Sequence, residues 1–155
     1  MIRNCRVRVS SENRELAPIP NNMTGSEPDK IELSAEGTIE RDVNGKIIVR
    51  YNNYDEEMRE MSGTVTLSIM PDLSSVIMDR GGDAFTSLTF LSGKKRVDCS
   101  YNMPFGSIQM GVTTRSLTGT IDYHEGGELA MDYILEINST PAARFIVKVN
   151  VSGEE

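Results

Sequence analysis

The sequence predicts an all-β protein, a single antiparallel up-and-down β-barrel of about eight to ten strands. Apolar and polar residues alternate with period two along most of the chain. Gly, Pro, Asn and Asp interrupt that alternation at short intervals, as turns between neighbouring strands do. No convincing helical period extends beyond about two turns. One wet and one dry face per strand is the pattern of an antiparallel meander, and a long meander usually removes its edges by closing. The 155 residues suit one domain, 1–155, and the 38% hydrophobic content can bury a core without a disulfide or metal.

The first strand is already visible in Ile2 to Val9. Ser10 to Lys30 is rich in Ser, Glu, Asn and Pro and has no period, so it predicts a mobile loop between the first two strands. The plain reading of that loop is an insertion; the functional one is a lid over an opening. Ile31, Leu33, Ala35, Gly37 and Ile39 then share one face. Asn44-Gly45 predicts a type I′ hairpin turn, with positive φ at both central residues. Ile47, Val49 and Tyr51 continue the apolar face. Tyr54 to Met61 is acidic and reads as a loop or one short helical stretch.

Ser62 opens a strand carrying Val65, Leu67 and Ile69, ended by Pro71-Asp72. Val76, Met78 and Arg80 alternate up to Gly81-Gly82. Thr86, Leu88 and Phe90 follow, then Val97, Cys99 and Tyr101. Ile108 to Thr114 and Leu117 to Tyr123 are two further alternating runs. After Glu125-Gly126-Gly127 come Leu129, Met131, Tyr133, Leu135 and Ile137, and lastly Phe145, Val147, Val149 and Val151.

A formal net charge of −7 argues against general binding to nucleic acid or anionic membranes, which needs an excess of Lys and Arg. No apolar run approaches the roughly 18 residues that span a bilayer. The N-terminal residues carry charge but no apolar run of the signal-peptide kind, so a cytoplasmic location is expected. Cys5 and Cys99 are then expected to be reduced, and Cys99 shares the phase of Val97 and Tyr101 as a small core residue.

Phase decides which polar groups can meet. Arg80 shares the phase of Val76 and Met78 and should face inward, as should Tyr51, Tyr101, Tyr123, Tyr133, Thr86 and Thr114. An arginine inside a barrel is costly unless paired. Arg80 therefore either anchors an anionic ligand group or hydrogen-bonds strand-end carbonyls and closes the barrel. The candidate ligand-binding residues are Arg80, Tyr101, Tyr123, Tyr133 and Thr114. Met78, Met110 and Met131 suit either an adaptable cavity or plain core packing.

No catalytic constellation emerges. His124, the one histidine, falls in the outward phase beside a turn, away from Cys99. One histidine and two distant cysteines give no zinc spacing, so no metal or cofactor is expected. Asp79, Asp98, Asp122 and Asp132 fall on the outer phase, so no inward carboxylate pair forms. Asp55-Glu56-Glu57 and Glu60 lack the rhythm of a calcium loop and read as a solvated acidic face. Lys94-Lys95-Arg96 is a short basic tip, too small to make a nucleic-acid surface.

Three landmarks suggest a family: Val76-Ile77-Met78-Asp79-Arg80-Gly81-Gly82 with Leu88-Thr89-Phe90; Tyr101-Asn102-Met103-Pro104-Phe105-Gly106 with Val112-Thr113-Thr114; and Tyr133-Ile134-Leu135. Together they resemble the YwiB-like family, small bacterial proteins grouped under a domain-of-unknown-function label. Met103 stands where the family pattern has threonine. The resemblance covers roughly 31 to 151 and implies a calycin-type, lipocalin-like barrel. It brings no activity, catalytic residue or cofactor.

The expected function is that of a non-enzymatic barrel holding a small apolar or amphipathic, anionic-headed ligand. The alternative is a packed barrel serving as a protein-interaction or scaffold module. Either a monomer or a homodimer fits the sequence.

Overall fold

The computed structural model describes residues 2–15, 29–55, 60–81, 85–103 and 106–153. They form ten strands: β1 (Ile2–Glu15), β2 (Asp29–Arg41), β3 (Ile47–Asp55), β4 (Glu60–Ile69), β5 (Ser75–Arg80), β6 (Phe85–Leu91), β7 (Arg96–Met103), β8 (Gly106–Asp122), β9 (Gly126–Ile137) and β10 (Thr140–Gly153). Each pairs antiparallel with its neighbours in sequence, and β1 also pairs with β10, which closes the barrel. The expected up-and-down barrel is the observed one.

Closure is uneven around the wall. β1 pairs with β2 from Ile2 to Asn13 and with β10 from Cys5 to Glu15. In contrast, among the described residues β2 meets β3 only from Gly37 to Arg41, and β6 meets β7 only at Phe85 and Thr86. These two seams divide the wall into a six-strand part (β7-β8-β9-β10-β1-β2) and a four-strand part (β3 to β6). The core fills the space between them. Val7, Val49, Val65, Leu67, Phe90, Met131 and Val149 retain essentially no accessible surface. Leu33, Met110 and Phe145 pack against that core from its margins. A filled middle is what aliphatic and aromatic side chains on two apolar faces produce at this spacing.

Several local expectations are corrected. Ser10–Glu15 is strand rather than loop, and so are Asp29 and Lys30. These residues are polar on both faces, so alternation does not reveal them; ladder hydrogen bonds from β10 and β2 on either side hold them extended. The rest of the expected loop, 16–28, lies outside the described residues. Tyr54, Asp55, Glu60 and Met61 extend the β3–β4 hairpin instead of forming a loop or helix, and 56–59 lie outside the described residues.

The Asn44-Gly45 hairpin exists, but its turn is not type I′. Gly45 has positive φ (87°) and Asn44 does not. The Gly45 N–H donates to the Asp42 carbonyl at 3.1 Å, and the Asp42 N–H to the Lys46 carbonyl at 3.0 Å. The Asp42 carboxylate accepts the Asn44 and Lys46 N–H groups, which favours a type I turn ending in a left-handed glycine.

The runs Ile108–Thr114 and Leu117–Asp122 belong to one strand, with Tyr123 in the turn that follows it. The register shifts between Thr114 and Ser116, leaving Arg115 as the extra residue of a bulge. That bulge explains why the inward phase passes from even to odd positions within β8. The turn between β9 and β10, Asn138-Ser139, takes positive φ at both residues without any glycine.

Candidate functional site

The two ends of the barrel carry different polar chemistry. At one end a row of side chains crosses the four-strand part in register: Tyr51 opposite Val65, Val65 opposite Arg80, Arg80 opposite Thr86, Thr86 opposite Tyr101. A second row crosses the six-strand part: Asn13 opposite Phe145, Phe145 opposite Tyr133, Tyr133 opposite Thr114. The two rows converge near Arg80 and the Tyr51 and Tyr133 phenols. Burial pushes the Tyr51 phenol up and the Tyr133 phenol far up, and the positive Arg80 guanidinium partly opposes both shifts.

Arg80 keeps the inward phase of Val76 and Met78 but stands at the strand's end, where it is exposed. The Gly81 N–H just beyond it donates to the Thr64 carbonyl at 3.0 Å, ending β5 against β4. The cation therefore sits at the rim with its charge solvated, and no burial penalty falls on it.

Below the rim the second row holds two stacked rings flanked by two polar side chains. The Tyr133 ring stacks on Phe145 (centroids 5.3 Å apart, planes at 15°) and tilts against Phe90 (4.7 Å, 57°). Thr114 is 1% exposed, and its Oγ1 has no hydrogen-bond partner; the Asn13 Oδ1 is likewise buried and unpartnered. Leaving such a group unpaired costs about 1–3 kcal/mol. Thr86 instead donates its hydroxyl to the Ser100 carbonyl at 3.1 Å, bridging the β6–β7 seam. Tyr101 beside it is half-buried.

Tyr123 does not join this group. It lies at the opposite end, by the β8–β9 turn, buried and capped by cations. The Arg3 guanidinium donates to the Tyr123 and His124 carbonyls at 2.9 and 3.1 Å. Both Arg3 and Arg41 lie 5.4 Å from the Tyr123 ring centre. The Tyr123 Oη is buried without a partner, and the residue lines a small, partly open recess of about 10 Å³ together with Cys5, Ile39 and Val151. That is about the room one water needs.

Four of the five candidates thus fall into the first end: Arg80 at the rim, Tyr133 and Thr114 below it, and Tyr101 at the margin. Tyr51 and Asn13 complete that end. Tyr51 was legible as inward-facing. Asn13 was hidden by the polar stretch after Val9, although its phase continues that of Val7 and Val9.

The other ionisable groups do structural work. Asp122 accepts the His124 and Glu125 N–H groups and shapes their turn, which holds its carboxyl below the usual range. Asp132 forms a two-point pair with Arg144 (3.0 and 2.7 Å) on the outer face. Arg96, from the basic tip, is engaged by Glu136 and Asp98. His124 is exposed and meets the Tyr123 ring edge-on. Cys99 is half-buried, with its thiol 3.9 Å from the Val97 carbonyl. Among the described residues no three His, Cys, Asp or Glu side chains converge as a metal site. No helix among them is long and apolar enough to cross a membrane.

A closed ten-strand barrel with one cation-capped end and one rim bearing an arginine over buried phenols defines a class of small β-barrel protein. The chain belongs to the family described as "Domain of unknown function (DUF1934)", whose model matches residues 20–149. It is similar in structure to the ywiB protein from Bacillus subtilis, with a TM-score of 0.75 at 16% identity, over 99% of this chain and 94% of that one. This likeness speaks for the fold. No curated protein matches the chain.

Proposed function

We propose that the protein binds a small amphipathic molecule through an anionic head at the Arg80 rim. One observation carries this reading: the exposed Arg80 stands in register with Tyr51 and within electrostatic reach of the buried Tyr51 and Tyr133 phenols, at the end that also holds the unpartnered Thr114 Oγ1 and Asn13 Oδ1. A guanidinium and phenolic hydroxyls together suit a carboxylate or phosphate. In the proposed complex the side chains at the rim part to bring the buried Thr114 Oγ1 and Asn13 Oδ1 within reach of polar atoms behind that head, and the Tyr133–Phe145 stack offers an apolar wall. Because Leu67, Phe90 and Met131 leave no accessible surface, the ligand sits toward the rim and not through the middle. In this reading the barrel is a cytoplasmic, lipocalin-like container, and no reaction is assigned to it.

The same filled middle favours a second reading, a packed barrel acting through its outer surface. A native mass spectrum of gently purified protein, compared with its denatured mass, separates the two. The first reading expects a reproducible adduct that is lost on denaturation and lost in Arg80→Ala. A bare mass of 17.2 kDa, or twice that value, favours the second.

A further inference from the structure

We infer that the edge of β2 from Asp29 to Glu36, which pairs with no strand among the described residues, is a self-association surface, on which a second copy of this chain adds its own β2 antiparallel across a two-fold axis. The β2–β3 ladder ends at Gly37–Tyr51, while β2 itself runs back to Asp29. From Asp29 to Glu36 the strand pairs with β1 on one side and with no described strand on the other. Such an edge presents unpaired N–H and C=O groups and templates the addition of another strand.

The side chains say which strand. Ile31 is 65% exposed, an unusual state for a large apolar residue, and Leu33 and Ala35 on the same face are only partly buried. Lys30, Glu32, Ser34 and Glu36 on the other face are exposed. A two-fold pairing that keeps each face together must be centred on a residue. Centring on Glu32 sets Glu32 against itself, and centring on Ser34 sets Glu32 against Glu36. Centring on Leu33 sets Leu33 against Leu33, Ile31 against Ala35 and Lys30 against Glu36, with Glu32 opposite Ser34. That register opposes no like charges, forms two Lys–Glu pairs by symmetry, and covers the exposed Ile31 twice.

Sedimentation of the full chain across micromolar to millimolar concentration tests this. The expected species has twice the 17.2 kDa mass of the chain. Ile31→Lys, at a site too exposed to affect folding, should give a monomer. Lys30→Glu and Glu36→Lys should each weaken the dimer about tenfold, because each turns two attractive cross-strand pairs into repulsive ones. The double variant Lys30→Glu/Glu36→Lys should restore wild-type association. A monomer at every concentration overturns the inference, and so does a dimer indifferent to Ile31→Lys or to the charge exchange.

Discussion

The Tyr123 end and the Arg80 end of the barrel place the same kinds of residue in opposite circumstances. Both hold buried tyrosine beside arginine. At the Tyr123 end the arginines are spent internally: Arg3 closes on two backbone carbonyls, and Arg3 and Arg41 flank the ring. At the Arg80 end the arginine stays exposed above two phenols, and polar atoms of Thr114 and Asn13 go unanswered. The Tyr123 end commits its arginines to its own chain and leaves one buried oxygen, the Tyr123 Oη, unpartnered; the Arg80 end leaves an exposed cation together with two such oxygens. What separates the ends is therefore the uncommitted cation, the group with which an anionic partner gains most energy.

Parallel glycine substitutions should show the largest contrast. Gly127, at the start of β9 beside the turn at the Tyr123 end, has φ of 145°, and a Cβ there would strike the Thr120 carbonyl oxygen. Gly127→Ala should lose about 2–4 kcal/mol, read as a lower Tm or denaturant midpoint. Gly81, just past Arg80, has nothing near its missing Cβ. Gly81→Ala should change stability by less than about 0.5 kcal/mol. Equal losses would mean that the two ends are packed alike.

The phenols give the next contrast. A phenol whose pKa is raised by folding contributes stability below the unfolded value of about 10 and loses it as pH climbs past that value. Tyr51 and Tyr133 should therefore titrate late in the phenolate absorbance, and stability should fall at high pH. Arg80→Ala removes the charge that opposes both shifts, so those two phenols should titrate later still. Arg3→Ala, at the other end, should leave them unmoved. If Arg80→Ala has no effect on the titration, Arg80 is not beside them.

A smaller effect sharpens the role of Thr114. Replacing a buried hydroxyl that has no partner by a methyl removes a desolvation cost, so Thr114→Val should be neutral or raise stability by up to about 1 kcal/mol. The same change should weaken any ligand held at the rim. A large loss of stability in thermal melts would show that Thr114 is already satisfied.

How much of this was legible in the sequence follows from the physics of each segment. From Ile31 onward period two identified most of the strand residues, where one face is buried, but not Tyr54, Asp55, Glu60 and Met61, where the acidic run hides the pairing of the β3–β4 hairpin. It missed Ser10–Glu15, where both faces are polar and only pairing on either side imposes the strand. The switch in phase between Thr114 and Leu117 was visible as a pattern, and Arg115 in the bulge supplies its cause. The site was half legible. Phase brought Arg80, Tyr133 and Thr114 inward, but phase does not say which end of a barrel a residue reaches. That depends on register, and register sent Tyr123 to the far end and brought Asn13 and Tyr51 to Arg80.

If the Arg80 end takes the ligand, amide-resolved 1H–15N spectra of the full chain titrated with dodecanoate will report it residue by residue. Saturable shifts are expected at Tyr51, Arg80, Thr114 and Tyr133, absent in Arg80→Ala, with Arg3, Tyr123 and His124 unmoved. Shifts centred on Tyr123, or none at the Arg80 end at millimolar ligand, would contradict that placement.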